Sequence, residues 1–268
     1  MVHSGSNPAR PLSVLLGVRL TFLGIGAMVM TGSRHVAPTL LEAVGFRGFL
    51  AVSEALLPLP AVLFLALSGA SVWKTLALSP PRRSAAALGV ALGAALWLAS
   101  LGLLELQNVV FPVPPEYLAG FRRLHDLLYP KDPLDALVSL AAIALVPALC
   151  EEAATRGVLL PSLRTALAPA PSIALSAAVF ALMHFDLYRT LFTFAVGLVL
   201  GAVRLRTGSL WPSLLAHASL NALTFAAAPF LDDPTQALPD PRPLLGLALL
   251  AVGSYATMVL WKRLPATR

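Results

Sequence analysis

The chain has 268 residues, of which 57% are apolar and only 12% charged, and its mean hydropathy is +0.80. A water-soluble domain carries about 25% charged residues, so this composition excludes a soluble globular protein and predicts an integral membrane protein. Lys and Arg outnumber Asp and Glu by 19 to 13, but no polar stretch is long enough to form a nucleic-acid-binding domain. The single cysteine, Cys150, excludes an intrachain disulfide.

Apolar segments bounded by charged or proline-rich sequence are long enough to form membrane helices, which need about 20 residues to cross the hydrocarbon core. Eight such segments cover residues 12–30, 49–72, 84–104, 134–160, 172–185, 190–205, 210–231 and 244–260. The first lacks a clear cleavage site, so we expect a retained helix rather than a signal peptide. The pattern predicts an all-α, polytopic bundle of about eight transmembrane helices. We expect a single transmembrane domain over residues 1–268, with the catalytic helices in roughly 134–231.

The distribution of charge predicts the orientation, because Lys and Arg accumulate in short cytoplasmic loops. With the N-terminus inside, the inner segments contain basic residues and no acidic ones: Arg10, Lys74, Arg82, Arg83, Arg164, Arg204, Arg206, Lys262, Arg263 and Arg268. The outer loops carry both signs. Both termini are therefore predicted to be cytoplasmic. The polar stretch 107–132 is expected to be an outer connector that lies on the membrane surface.

The fourth apolar segment contains three charged residues, Glu151, Glu152 and Arg156. Charges at membrane depth cost several kcal/mol unless they are paired or hydrated. Glu152 and Arg156 are four residues apart and share a helix face, which predicts an ion pair. Glu151 is rotated by about 100° from Glu152, so its carboxylate remains available for another role.

Further polar residues lie in the fifth and seventh segments, namely His184, followed by His217 and Asn221 on one helix face. Polar groups of separate membrane helices converge in a bundle interior. Each histidine alone could be a structural hydrogen-bonding group between helices, and the Glu–Arg pair alone could be a neutralised pair. In the first two segments, Arg19 and Glu54 are expected to neutralise each other.

Together these residue types can perform peptide hydrolysis. The reaction needs a base that activates water and donors that stabilise the oxyanion on the scissile carbonyl. A buried carboxylate, two histidines and an asparagine supply these groups. The sequence has no His-Glu-x-x-His zinc helix, no Gly-x-Ser-Gly nucleophile turn and no Gly-x-Gly-Asp motif, so the other intramembrane protease mechanisms lack their residues.

Three motifs in order resemble those of the CPBP family, the CAAX-processing and bacteriocin-processing (Abi) proteins: Glu-Glu-x-x-x-Arg, Phe-x-x-x-His and His-x-x-x-Asn. They stand here as Glu151-Glu152-Ala153-Ala154-Thr155-Arg156, Phe180-Ala181-Leu182-Met183-His184 and His217-Ala218-Ser219-Leu220-Asn221. The resemblance covers roughly residues 134–231. It implies a glutamate-dependent intramembrane endopeptidase.

By this resemblance, Glu151 is the general base for water and His184 assists it, while His217 and Asn221 form the oxyanion site. The remaining motif residues, Glu152 and Arg156, would orient the site. No cofactor is expected. Zinc stays an alternative, because Glu and two His can ligate it, but no further ligand lies close in sequence and an Asn suits an oxyanion better.

The expected partners are the lipid bilayer and a membrane-anchored protein or peptide substrate, such as a prenylated C-terminus, a peptide precursor or a C-terminal sorting tail; nucleic acid is not expected. The composition favours a bacterial cytoplasmic membrane and a sorting or maturation peptidase. Two rival functions remain open. One is a non-catalytic scaffold or immunity protein, and the other is a transporter lined by Glu54, Glu151, His184 and His217, for which repeat symmetry would be expected.

Overall fold

The computed structural model describes residues 12–231 and 242–266, and these form helices joined by turns and loops, without strands. The helices are α1 Val14–Thr31, α2 Ala37–Leu56, α3 Leu59–Leu67, α4 Val72–Thr75, α5 Arg83–Val110, α6 Pro115–Leu128, α7 Pro133–Leu163, α8 Pro169–Leu182, α9 Leu187–Thr207, α10 Trp211–Leu231 and α11 Pro243–Arg263. This confirms the predicted all-α bundle of an integral membrane protein.

Each predicted apolar segment corresponds to a helix, but the count of eight spans is not confirmed. Among the described residues, five helices are long and apolar enough to cross a membrane, namely α1, α5, α7, α9 and α11. The bent pair α2 and α3 adds a sixth if it forms one broken span. Helix α8 has 14 residues. At 1.5 Å per residue it rises only about 21 Å, less than the hydrocarbon thickness.

The second predicted segment, 49–72, has the wrong boundaries. Helix α2 begins at Ala37, so residues 42 and 47 lie in a helix and not in a loop. Gly45 interrupts it with φ 68°, a left-handed conformation that glycine adopts without strain. A second break, of 50°, separates α2 from α3. It falls at Pro58, where a proline ring prevents a regular helix from continuing.

The predicted outer connector, 107–132, contains a helix of its own. Helix α6 follows Pro114 and has an acidic residue, Glu116, in its first turn, as helix N-termini prefer. Its Tyr117 hydroxyl donates a hydrogen bond to Asp186, in the loop after α8. Burial and this hydrogen bond raise the pKa of Tyr117, so the phenol keeps its proton at neutral pH.

Close approaches at glycine fix the position of the helix that carries the third motif. A Cβ added at Gly93 of α5 would lie 2.3 Å from the carbonyl oxygen of Ala216 in α10. On its other side, α5 meets α11 at Gly253, where an added Cβ would lie 2.4 Å from the Ala99 nitrogen. Small residues allow membrane helices to pack this closely. Residue 217 therefore occupies a well-determined place in the bundle.

Helices α2 and α7 contact each other at two positions along their length. Arg47 donates two hydrogen bonds to the Asp135 carboxylate, at 2.6 and 3.0 Å. Deeper in the bundle, Leu57 packs in one cluster with Ala154 of α7 and with Phe180 of α8. These contacts place the end of α2 beside the first motif.

Candidate active site

The first motif forms a buried ion pair. Arg156 and Glu152 are both fully buried, and Nη1 of Arg156 donates to Oε1 of Glu152 at 2.8 Å. The same nitrogen donates to the Thr155 hydroxyl at 2.8 Å, and Nη2 donates to the carbonyl of Gly197 at 3.1 Å. The ion pair predicted from the four-residue spacing is present. It also ties α7 to α9, which the spacing did not predict.

The helix changes its winding at this motif. Residues Val146–Glu152 are α-helical, and the next turns, Ala153–Leu159, form a π-helix. Such short π segments are frequent at functional sites. Here the wider turn begins immediately after Glu152, and the Thr155 hydroxyl donates to the Glu151 carbonyl at 2.6 Å.

His184 lies in the turn that follows α8. Its Nδ1 is 2.7 Å from the carbonyl oxygen of Phe180. A carbonyl only accepts, so Nδ1 carries the proton and the neutral ring has a bare Nε2. That Nε2 lies 4.0 Å from Oε2 of Glu151. The next residue, Phe185, has φ 50°, an uncommon conformation for a side chain of this size, and it turns the chain towards α9.

His217 of α10 lies between the two carboxylates of the first motif. Its Nδ1 is 3.3 Å from Oε1 of Glu152, and its Nε2 is 3.6 Å from Oε2 of Glu151. The His217 residue is 4% exposed. The structure therefore brings Glu151, Glu152, Arg156 and both histidines together, as the sequence analysis expected.

Phe180 of the second motif contacts three of these groups. The Arg156 guanidinium lies 4.2 Å from the centre of its ring. The His184 and His217 rings meet it edge-on, with centroids at 5.2 and 5.5 Å. In the sequence, Phe180 is only the first residue of the motif. The structure shows that it holds the arginine and both histidines in place.

Asn221 lies one turn after His217 on α10 and is partly buried. Within the part of the chain that the structure describes, its side chain makes no hydrogen bond to the other motif residues. Its role as an oxyanion donor therefore stays a prediction.

The predicted pairing of Arg19 with Glu54 is wrong. Arg19 lies on the exposed face of α1. Glu54 faces the bundle interior instead, where it interacts electrostatically with Arg189 of α9 and with Glu151. Two helices that follow each other in sequence can each be rotated about their own axis in many ways. Whether Arg19 and Glu54 meet depends on that rotation, which the sequence does not fix.

A zinc site was the alternative left open by the sequence. Within residues 12–231 and 242–266, no group of three or more His, Cys, Asp and Glu side chains is arranged to hold a metal ion. Zinc remains the alternative mechanism, which the chelator experiment below tests.

Comparison with known families identifies the segment that carries the site. Residues 133–223 match the family described as "Type II CAAX prenyl endopeptidase Rce1-like". The match covers less than half of the chain and includes all three motifs, and it confirms the predicted resemblance to the CPBP family. It supports a membrane peptidase of the CAAX endopeptidase kind. No curated protein and no solved structure matches the chain.

Proposed function

We propose that the chain is an intramembrane endopeptidase in which Glu151 activates the attacking water. The observation that carries this proposal is the position of its Oε2 atom. It is buried and has no hydrogen-bond partner among the described residues, yet it lies 3.6 and 4.0 Å from the Nε2 atoms of His217 and His184. These separations are longer than direct hydrogen bonds and suit a bridging water.

The chemistry follows from these positions. Glu151 takes a proton from water while the water oxygen bonds to the scissile carbonyl carbon, and His184 holds the same water through Nε2. The negative charge that develops on the carbonyl oxygen is stabilised by His217 and the Asn221 amide. The carbon–nitrogen bond then breaks, and the proton on Glu151 passes to the leaving amine. Glu152 and Arg156 orient His217.

The substrate class is a peptide held at the membrane by a lipid or a helix. The family description names prenylated CAAX proteins, whereas the composition of this chain favours a bacterial sorting or maturation substrate. The excess of basic residues in the inner segments supports cytoplasmic termini in a bacterial cytoplasmic membrane. The scaffold and transporter alternatives predict no cleavage, so the assay below separates them from the peptidase.

The test uses purified full-length protein in detergent and two fluorogenic peptides of one CAAX sequence, one farnesylated and one acylated at the same cysteine. Glu151→Gln is nearly isosteric and cannot accept the water proton, so it should fold and lose cleavage. Glu105→Gln, a partly buried glutamate of α5 near Arg242, is the matched control and should remain active. Cleavage by Glu151→Gln at the unaltered rate would remove the general-base role.

A zinc chelator distinguishes the glutamate-dependent mechanism from a zinc-dependent one. The proposed reaction should be insensitive to a strong zinc chelator. Activity that is lost with the chelator and restored by added zinc would favour a metalloprotease instead.

A further inference from the structure

We propose that Glu54 of α2 is a further positioning residue of the site and acts through Glu151. This inference rests on the proposed function. None of the three motifs includes Glu54, and the resemblance to the CPBP family gives it no role.

The register of α2 against α7 places the two carboxylates opposite each other. Leu57 packs in one cluster with Ala154. Residues three apart share a helix face, so Glu54 lies one turn before Leu57 on α2, as Glu151 lies one turn before Ala154 on α7. Arg47 contacts Asp135, and Leu57 packs with Ala154 further along both helices, so the two helices run in the same direction.

The Glu54 carboxyl group is oriented into the bundle. Its Oε2 atom is buried and makes no hydrogen bond to any described residue, as is also true of Oε2 of Glu151. A carboxylate oxygen without a hydrogen-bond partner costs free energy at membrane depth, and ionisable groups kept there at such a cost often mark functional sites. Glu54 and Glu151 thus each present a buried oxygen without a hydrogen-bond partner among the described residues, on two helices that pack against each other.

Glu54 and Glu151 share one nearby cation. Arg189, in the first turn of α9, interacts with both Glu54 and Glu151. One positive charge therefore acts on two carboxylates. The other titratable groups around Glu151 are Cys150, Glu152 and Arg156 on its own helix, His184 after α8 and His217 on α10.

An ionised Glu54 favours transfer of the water proton to Glu151, because the transfer neutralises Glu151 and removes the repulsion between two like charges, which is stronger in the membrane interior than in water. Glu54 thereby makes Glu151 a more effective base without touching the substrate. Arg189 has the opposite influence, and it limits the repulsion between the two carboxylates.

The alternative is that Glu54 and Arg189 merely neutralise each other and hold α2 against α9. The two roles differ in one observable, the pH dependence of cleavage. Loss of a purely structural pair lowers the stability of the protein and leaves unchanged the pH at which the rate falls on the acid side, the acid limb of the profile. Loss of a residue that acts on the base shifts this acid limb.

The experiment measures kcat/KM against pH for the full-length protein with the farnesylated and acylated CAAX peptides. In Glu54→Gln, loss of the neighbouring charge lets Glu151 ionise more easily. The acid limb should move to lower pH by about one unit. The rate at neutral pH should fall roughly tenfold, because Glu151 becomes a weaker base.

Three further variants make the outcome specific. Glu54→Asp keeps the charge and should keep the acid limb at the position of the unaltered protein. Arg189→Gln should move the limb in the opposite direction, to higher pH, and it reports on the same charge balance if Glu54→Gln does not fold. Glu105→Gln should leave both rate and profile unchanged.

The inference is overturned if Glu54→Gln retains the rate and profile of Glu105→Gln. It is equally overturned if Glu54→Gln and Glu54→Asp lose activity alike with the acid limb in place, or if Arg189→Gln leaves the limb unmoved. Failure of the proposed function is seen separately, as cleavage by Glu151→Gln or no cleavage by the unaltered protein; the role of Glu54 then falls with it.

Discussion

Replacement of Arg156 by alanine should destabilise the protein strongly, because it leaves Glu152 as a buried charge without its cation. Both side chains are fully buried and are 2.8 Å apart. The substitution also removes the hydrogen bond to the Gly197 carbonyl and the contact with the Phe180 ring. Three helices thus lose a shared contact at one position.

The magnitude can be worked from these contacts. Removal of one partner of a buried ion pair costs about 3–5 kcal/mol. For a chain of this size, 1 kcal/mol corresponds to a change in melting temperature of about 2–4 °C. The melting temperature of Arg156→Ala should therefore fall by roughly 6–20 °C.

The assay is thermal unfolding of the purified protein in detergent, monitored by circular dichroism. Arg263→Ala is the matched control, because Arg263 is exposed at the end of α11. The double variant Arg156→Ala/Glu152→Gln should melt at a higher temperature than Arg156→Ala, because the glutamine amide is neutral and leaves no buried charge without a partner.

Two outcomes would refute this reasoning. A melting temperature for Arg156→Ala within about 2 °C of that of Arg263→Ala would show that the pair contributes little. A double variant less stable than Arg156→Ala would show that Glu152 is not left as an uncompensated charge, and that the loss comes from packing around Phe180 instead.

Two other changes test the third motif. Asn221→Ala should fold normally and cleave the CAAX peptides on the order of a hundredfold more slowly, as for loss of one oxyanion donor; a kcat equal to that of the unaltered protein would contradict the role. Gly93→Ala should lower the melting temperature by a few degrees, corresponding to about 1–3 kcal/mol of overpacking, because its Cβ would meet the Ala216 carbonyl next to His217. Gly26→Ala, where no atom lies within 4 Å of an added Cβ, is its control, and an equal change in both would argue against the close approach.

The features that the sequence predicted are those that depend on local spacing. The Glu152–Arg156 pair follows from a four-residue separation within one helix. The helix positions follow from runs of apolar residues, and α5, α9 and α11 differ from the prediction mainly by longer ends. The all-α fold class required no knowledge of how the helices pack.

The features that it missed depend on the rotation and neighbourhood of helices. Arg19 and Glu54 lie in consecutive apolar segments, and hydropathy alone did not reveal that one faces outward and the other faces α7. The first half of α2, with its break at Gly45, was missed because the charges of Glu42 and Arg47 interrupt the apolar pattern there. Phe180 was known only as a motif letter, since its contacts join residues from three separate helices.

The two histidines of the site differ in what their Nδ1 atoms face, and this difference bears on their roles. The Nδ1 of His184 donates to a carbonyl oxygen, which can only accept, so its neutral Nε2 is an acceptor suited to hold water beside Glu151. His217 instead has a carboxylate near each ring nitrogen, Glu152 at Nδ1 and Glu151 at Nε2. The Glu152 carboxylate only accepts, so the Nδ1 of His217 donates to it, and this hydrogen bond holds the ring beside both carboxylates. The resemblance to the CPBP family assigns the water to His184 and the oxyanion to His217, and both roles stay predictions; the acceptor Nε2 of His184 fits the first of them.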